Sequence, residues 1–256
     1  IAEVTLRVYG IPEAISSAVV PFPDLESAVQ TVILTIQSGI PMARIELMDE
    51  ASVRAVNAYS GMDLAETPHL LLEFHGSETG VREQAESFGA IAADHGGRGF
   101  DWATKPEARS ALWTMRHNAY YAILASRPGA RAIVTDICVP ISRLAEAIED
   151  TRADLEQAGV AGPILGHVGD GNFHAILMVD MEDEAEIARA KAASDRMVER
   201  ALSMGGTATG EHGIGVGKLG YMAREHGHGW AMMGAIKAAL DPDNILNPGK
   251  LVPPRN

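Results

Sequence analysis

Apolar positions along this chain follow two alternating rhythms, one of period two and one near 3.6, and together they set out an order of strands and helices. Val4-Thr5-Leu6-Arg7-Val8 alternates and reads as a strand. Ser17-Ala18-Val19-Val20-Pro21-Phe22 is a short apolar run stopped by Pro23, a second strand. The stripe Leu25, Ala28, Val29, Val32, Ile33 and Ile36 predicts a helix over 24–38, opened by Asp24 as N-cap. Residues 43–48 return to period two, and His69–Phe74 forms another strand-like run ended by Gly76. A helix fits 78–95, up to the stop His95-Gly96-Gly97. A longer helical stretch covers 106–126, with Leu112, Trp113, Met115, Tyr120, Ile123 and Leu124. The β-branched run Ala132–Val139 ends at Pro140 as one strand, and a helix over 141–158 closes at Gly159.

Strands with one apolar side, interleaved with helices in this order, predict an α+β fold. The expectation is a ferredoxin-like, mainly antiparallel sheet of two merged β–α–β units, with helices packed on one face. A C-terminal helical segment follows from residue 183 and ends in a Pro-rich tail. No linker composition interrupts the chain, so residues 1–256 read as one domain. A hydrophobic fraction of 46% excludes a disordered polypeptide. The net charge of −13, from 34 acidic against 21 basic residues, argues against a nucleic-acid partner. Cys138 stands alone, which excludes an internal disulfide or a Cys-rich metal site and suits a reducing cytoplasm. The chain opens at Ile1 without a signal-peptide pattern, so it reads as cut from something longer. The expected location is cytoplasmic, with peripheral contact to an inner membrane as the variant.

Chemistry concentrates in two segments. In Gly166-His167-Val168-Gly169-Asp170-Gly171-Asn172-Phe173-His174, apolar strands flank Asp-Gly, the preferred pair of a two-residue hairpin turn. With that turn His167 lies directly across from His174, their Cβ atoms about 5 Å apart, and Asn172 shares the face of His174. Gly205–Lys218 is the second segment, with six glycines in its first thirteen positions and Glu211-His212 in its middle. That glycine density lets backbone approach a ligand closely, and Glu211 can add an oxygen ligand to the two imidazoles. Two histidines and one carboxylate leave coordination positions open, as a catalytic metal needs. Dinucleotide and phosphate-loop patterns both fail here. Lys218 stands where a third glycine belongs, and it is followed by Leu219 instead of Ser or Thr. Arg116, on the Trp113 helix, is a bidentate partner for a carboxylate. Read by themselves, these histidines also fit a bare sheet surface, the glycine segment a structural loop, and Arg116 a solvated charge.

Five ordered motifs together resemble a known family. They are Leu112–Ala119, Thr135-Asp136-Ile137-Cys138-Val139-Pro140, the His167–His174 segment, Thr209–Gly215 and Asn247-Pro248-Gly249-Lys250. Over nearly its whole length the chain resembles the C-terminal, substrate-binding part of FAD-linked oxidases of the vanillyl-alcohol-oxidase-like superfamily. Within that group it is most similar to cytochrome-type D-lactate dehydrogenases and glycolate oxidase FAD subunits. The resemblance implies FAD, held mainly by an N-terminal domain absent from this chain. It also implies a divalent metal, zinc or manganese, on His167, His174 and Glu211, with Arg116 and Asn172 at the substrate and His212 as general base. Asn247 and Lys250 are expected to bind the cofactor. The implied partners are a small 2-hydroxy acid and an electron acceptor such as a cytochrome or quinone.

The hydroxyglutarate branch of that family carries a basic residue where this chain has Val134, and a small hydroxyl residue where it has Tyr120. An unpaired second carboxylate in an apolar pocket is costly, so the resemblance implies D-lactate. Two other readings stand beside it: a metal-dependent hydrolase, and a non-catalytic metal-binding fragment.

Overall fold

The computed structural model describes residues 3–103 and 105–253. Eight strands form one sheet: β1 (Ala14–Pro21), β2 (Met42–Met48), β3 (His69–Gly76), β4 (Asp101–Ala103), β5 (Arg131–Val134), β6 (Ile137–Cys138), β7 (Ile164–Gly166) and β8 (Asn172–Val179). Their order is β4-β1-β3-β2-β7-β8-β5, with β6 also on β8, and the pairings are antiparallel. Between them run α1 (Leu25–Gln37), α2 (Glu50–Ser60), α3 (Glu78–Asp94), α4 (Pro106–His117), α5 (Ala119–Ala125) and α6 (Leu144–Ala158). Beyond β8 come α7 (Glu184–Ser203), α8 (Leu219–His226) and α9 (His228–Leu240).

One pattern occurs twice. It is strand, helix, strand, strand, helix: β1-α1-β2-β3-α3, with α2 inserted, and β5/β6-α6-β7-β8-α7. In each unit the last strand lies between the other two, and the units join where Leu47 and Met48 of β2 pair with Gly166 and Leu165 of β7. The α+β, mainly antiparallel expectation therefore describes the observed fold.

Period-two alternation sends Ile45, Leu47, Leu70, Leu72, Phe74, Phe173, Ala175 and Leu177 to the face covered by α1, α3, α6 and α7. To the layer expected on one face the structure adds a smaller one on the other. There Met48, Leu71, Leu165, Ile176 and Met178 pack on Val53 and Val56 of α2 and on Trp113, Met115 and Ile123 of α4 and α5. Each fully buried Leu, Ile or Phe contributes roughly 1.5–3 kcal/mol relative to exposure, so both layers matter. Helix ends follow local chemistry. The side chains of Asp24, Asp49 and Ser77 accept N–H bonds as N-caps of α1, α2 and α3, and Gly159 ends α6 at φ 63°.

Four differences from the sequence reading have physical causes. Residues 3–13 include no strand, and Val4, Leu6 and Val8 stay exposed, because no neighbouring strand offers that alternation a partner. Ile1 and Ala2 lie outside the described residues. The two elements the pattern did not reveal, α2 and β4, are short or carry only a brief apolar stripe. The stretch 106–126 breaks at Asn118 into α4 and α5. The run 132–139 is split: β5 pairs with Ile176–Val179 and β6 with Asn172–Phe173. At the break Thr135 Oγ1 accepts from Ala175 N–H at 2.8 Å, and Asp136 is left buried between the two strands.

Candidate active site

Asp170-Gly171 does not form the expected two-residue turn. Leu165, not His167, lies across from His174. Val168–Asp170 make a 3-10 turn and Gly171 alone takes the left-handed conformation, at φ 78°. A Cβ there would stand 2.1 Å from the Val139 carbonyl oxygen, which requires glycine. This wider connection takes His167 out of the strand, yet its ring still meets that of His174. The ring centres are 5.8 Å apart and nearly perpendicular, at 84°.

The glycine-rich loop is organised by Asp136, a buried carboxylate to which the sequence reading gave no role. Its Oδ1 accepts from the Asn172 amide (2.9 Å) and from Gly210 N–H (3.1 Å). Its Oδ2 accepts from Thr209 Oγ1 (2.8 Å), His212 N–H (2.9 Å) and Lys218 Nζ (3.0 Å). Burial by itself pushes this carboxyl up, but the bonds from His212, Asn172, Thr209 and Lys218 outweigh it and hold it well below the usual carboxylate range. Gly210 must be glycine, since a Cβ would stand 1.7 Å from Asn172 Nδ2. So folded, the loop brings Glu211 Oε1 to 3.2 Å from His174 Nε2 and 3.4 Å from His167 Nε2. The His212 ring stacks on that of His174, 5.1 Å between centres and 9° between planes.

Each ligand ring is oriented through its other nitrogen. His174 Nδ1 lies 2.9 Å from the Thr135 carbonyl oxygen, which can only accept, so Nδ1 carries the proton and Nε2 offers its lone pair toward Glu211. His167 Nδ1 lies 2.7 Å from Glu46 Oε1, which orients that ring in the same sense. Burial pushes the His174 imidazole down, favouring the neutral form that ligates metals. The Glu46 bond holds His167 above the ordinary histidine range, which in a metal-free site favours its protonated form. Ligand atoms of His167, His174 and Glu211 all lie within 4.8 Å of one another, a donor set that fits a divalent cation.

Beside this cluster a cleft of about 400 Å³ is lined by Glu46, Trp113, Arg116, His117, His167 and Gly169, among others. Arg116 is buried, and its Nη2 donates to Glu46 Oε2 at 2.9 Å. Its Nε is buried without a partner among the described residues. Asn172 Nδ2 donates to Asp136 and to the Ile137 carbonyl, while its Oδ1 is likewise unpartnered. Asn247 and Lys250 are exposed on the tail after α9, and their side chains make no hydrogen bond or ion pair to the histidine cluster among the described residues. Leu251 N–H nevertheless ties that tail to the Gly215 carbonyl of the glycine-rich loop at 3.0 Å. Besides Asp136, the sequence reading passed over Glu46. In each case the available signal was an acidic residue inside an apolar strand pattern.

The family described as FAD linked oxidases, C-terminal domain, matches residues 11–251. The chain belongs to that family. It is 47% identical to "Probable D-lactate dehydrogenase, mitochondrial" of Danio rerio, over 98% of this chain and 51% of the relative. It is 43% identical to "D-lactate dehydrogenase [cytochrome], mitochondrial" of Arabidopsis thaliana, over 99% of this chain and 45% of the relative. The chain thus spans about half the length of the curated relatives it matches. Its fold is shared with 4-ethylphenol oxidase from Gulosibacter chungangensis, at a TM-score of 0.69 and 16% identity, over 94% of this chain and 54% of that one. The expected location needs correction. Both D-lactate dehydrogenase relatives are mitochondrial, which overturns a cytoplasmic or inner-membrane-peripheral assignment. A lone cysteine reports on redox conditions and not on which compartment supplies them. No described helix is long and apolar enough to cross a membrane.

Proposed function

We propose that this chain is the substrate- and metal-binding part of a flavin-dependent D-2-hydroxy-acid dehydrogenase acting on D-lactate, with FAD held mainly by a domain outside these 256 residues. The observation that carries the reading is the convergence of His167, His174 and Glu211, with both rings turned to offer Nε2 toward the same carboxylate. Zinc or manganese suits two imidazoles and one carboxylate. When bound, the cation supplies Lewis acidity toward the 2-hydroxyl and the flavin supplies the acceptor for the C2 hydride.

The residues of this chain then divide the remaining work. Arg116, a residue lining the cleft, binds the substrate carboxylate and fixes the C2–H direction. The unpartnered Oδ1 of Asn172 accepts from the 2-hydroxyl and orients it. His212 takes the hydroxyl proton, its ring held by stacking on that of His174. Loss of that proton and of a hydride from C2 leaves the 2-oxo acid, and a cytochrome or quinone then takes the electrons. Asn247 and Lys250 belong to the flavin side. Exposed apolar side chains nearby, Met232, Ile236, Leu240, Ile245 and Leu246, give a flavin domain a surface to cover.

The test is anaerobic flavin bleaching by D-lactate in the full-length protein, alongside metal content. His212→Ala is expected to slow flavin reduction about 100-fold or more with metal content unchanged. D-lactate is expected to outperform D-2-hydroxyglutarate, since Val134 and Tyr120 supply no second cation. Reduction at the wild-type rate in His212→Ala refutes the base assignment, and a preference for hydroxyglutarate refutes the substrate.

A further inference from the structure

We infer that Glu46 is a positioning residue that couples the acid-binding arginine to the metal-binding histidine through a single carboxylate, one oxygen on each. This deepens, and rests on, the reading just given. Glu46 sits in the middle of β2, paired across the sheet with the fully buried Leu71 of β3, and its neighbours Ile45 and Leu47 face the main core. It is itself only 8% exposed. A carboxylate costs several kcal/mol to bury unless fully paired, and a well-packed apolar side chain commonly serves folding as well or better. Packing therefore gives no reason for an acid at this position.

Its two contacts do. Oε1 lies 2.7 Å from His167 Nδ1, which leaves Nε2 as the ring atom facing Glu211, 3.4 Å away. Oε2 lies 2.9 Å from Arg116 Nη2, which holds the guanidinium of this cleft-lining residue. Through these two contacts one side chain of β2 reaches both helix α4 and the β7–β8 connection. Glu46 thereby fixes the distance and angle between the carboxylate-binding and cation-binding groups, the quantity a 2-hydroxy acid spanning both must match. Its negative charge also strengthens the imidazole as a ligand, as acidic partners of metal-bound histidines do.

The variants are Glu46→Gln and Glu46→Ala in the full-length flavoprotein. The first readout is Zn²⁺ affinity by competition dialysis, repeated with Mn²⁺, and the second is the KM for D-lactate. In Glu46→Gln one oxygen is replaced by a donor, so one of the two contacts is lost. Zn²⁺ affinity is expected to fall about tenfold and KM to rise, with 10–100-fold losses in Glu46→Ala. Because Glu46 acts on the cation through His167, adding Glu46→Gln to His167→Ala is expected to change Zn²⁺ affinity less than twofold further. Melting curves identify the folded variants, and Glu46→Gln decides if Glu46→Ala fails to fold. Unchanged Zn²⁺ affinity in folded Glu46→Gln, or fully additive losses with His167→Ala, overturns the coupling and leaves the metal site standing. A wild-type protein that binds neither Zn²⁺ nor Mn²⁺ overturns the site and the coupling together.

Discussion

Asp136→Asn is the most demanding perturbation of the loop that carries Glu211 and His212. The change is almost isosteric, yet every hydrogen bond to the carboxylate comes from a donor. Oδ1 faces the Asn172 amide and Gly210 N–H, and Oδ2 faces the Thr209 hydroxyl, His212 N–H and Lys218 Nζ. Whichever oxygen becomes an NH₂ group, at least two donors meet another donor. Each buried donor left unmatched costs about 1–3 kcal/mol, and Lys218 loses its countercharge as well. Water reaching the half-exposed loop recovers part of this, so the expected loss is about 3–5 kcal/mol, comparable with breaking a buried ion pair. Urea titration of the full-length protein at neutral pH measures the stability change. Limited proteolysis reports opening of residues 207–218, and Zn²⁺ dialysis reports the displacement of Glu211. A stability within 1 kcal/mol of wild type, with Zn²⁺ affinity unchanged, refutes the claim that this carboxylate organises the loop.

Two further predictions concern backbone and pH. Gly210→Ala is expected to expel the Asn172 side chain and abolish Zn²⁺ binding, because its Cβ would lie 1.7 Å from Nδ2. Gly213→Ala meets no atom within 4 Å but must hold φ +78°, so it is expected to cost about 1 kcal/mol and retain the metal; equal effects in the dialysis assay would rule out the steric account. Asp49, which caps α2 and accepts from Ile164 N–H at 2.7 Å, has its carboxyl pushed up to about 6 by burial. The folded protein therefore retains a proton that the unfolded chain has released above about pH 4. Its contribution is greatest below pH 4 and falls as pH rises through 6, by on the order of 3 kcal/mol at about 1.4 kcal/mol per pH unit. Asp49→Asn is expected to flatten that part of the stability profile in urea titrations between pH 4 and 7; a slope equal to wild type would refute the assignment.

The sequence by itself determined which segments carry apolar faces, and with them most of the fold. The stripe from Leu25 to Ile36, the period-two runs at 43–48 and 69–74, and the cap at Asp24 are local signals, and α1, β2 and β3 follow them. It also marked out His167, His174, Asn172, Glu211, His212 and Arg116, because residue types that ligate or accept protons stand out against glycine and apolar neighbours. Val4–Val8 has an equally clear alternation and forms no strand, since a strand exists only where another edge pairs with it. The meeting of the two histidines was anticipated, but through a register that the wider turn replaces. Only the tertiary structure decided that Asp136 would gather the glycine-rich loop and that Glu46 would join Arg116 to His167, across separations of 70 and 121 residues. The physical reason is that a buried carboxylate looks the same in sequence whatever donors surround it. Its role is fixed by which donors the chain brings within hydrogen-bonding distance, and that is a property of the packed sheet and not of any local pattern.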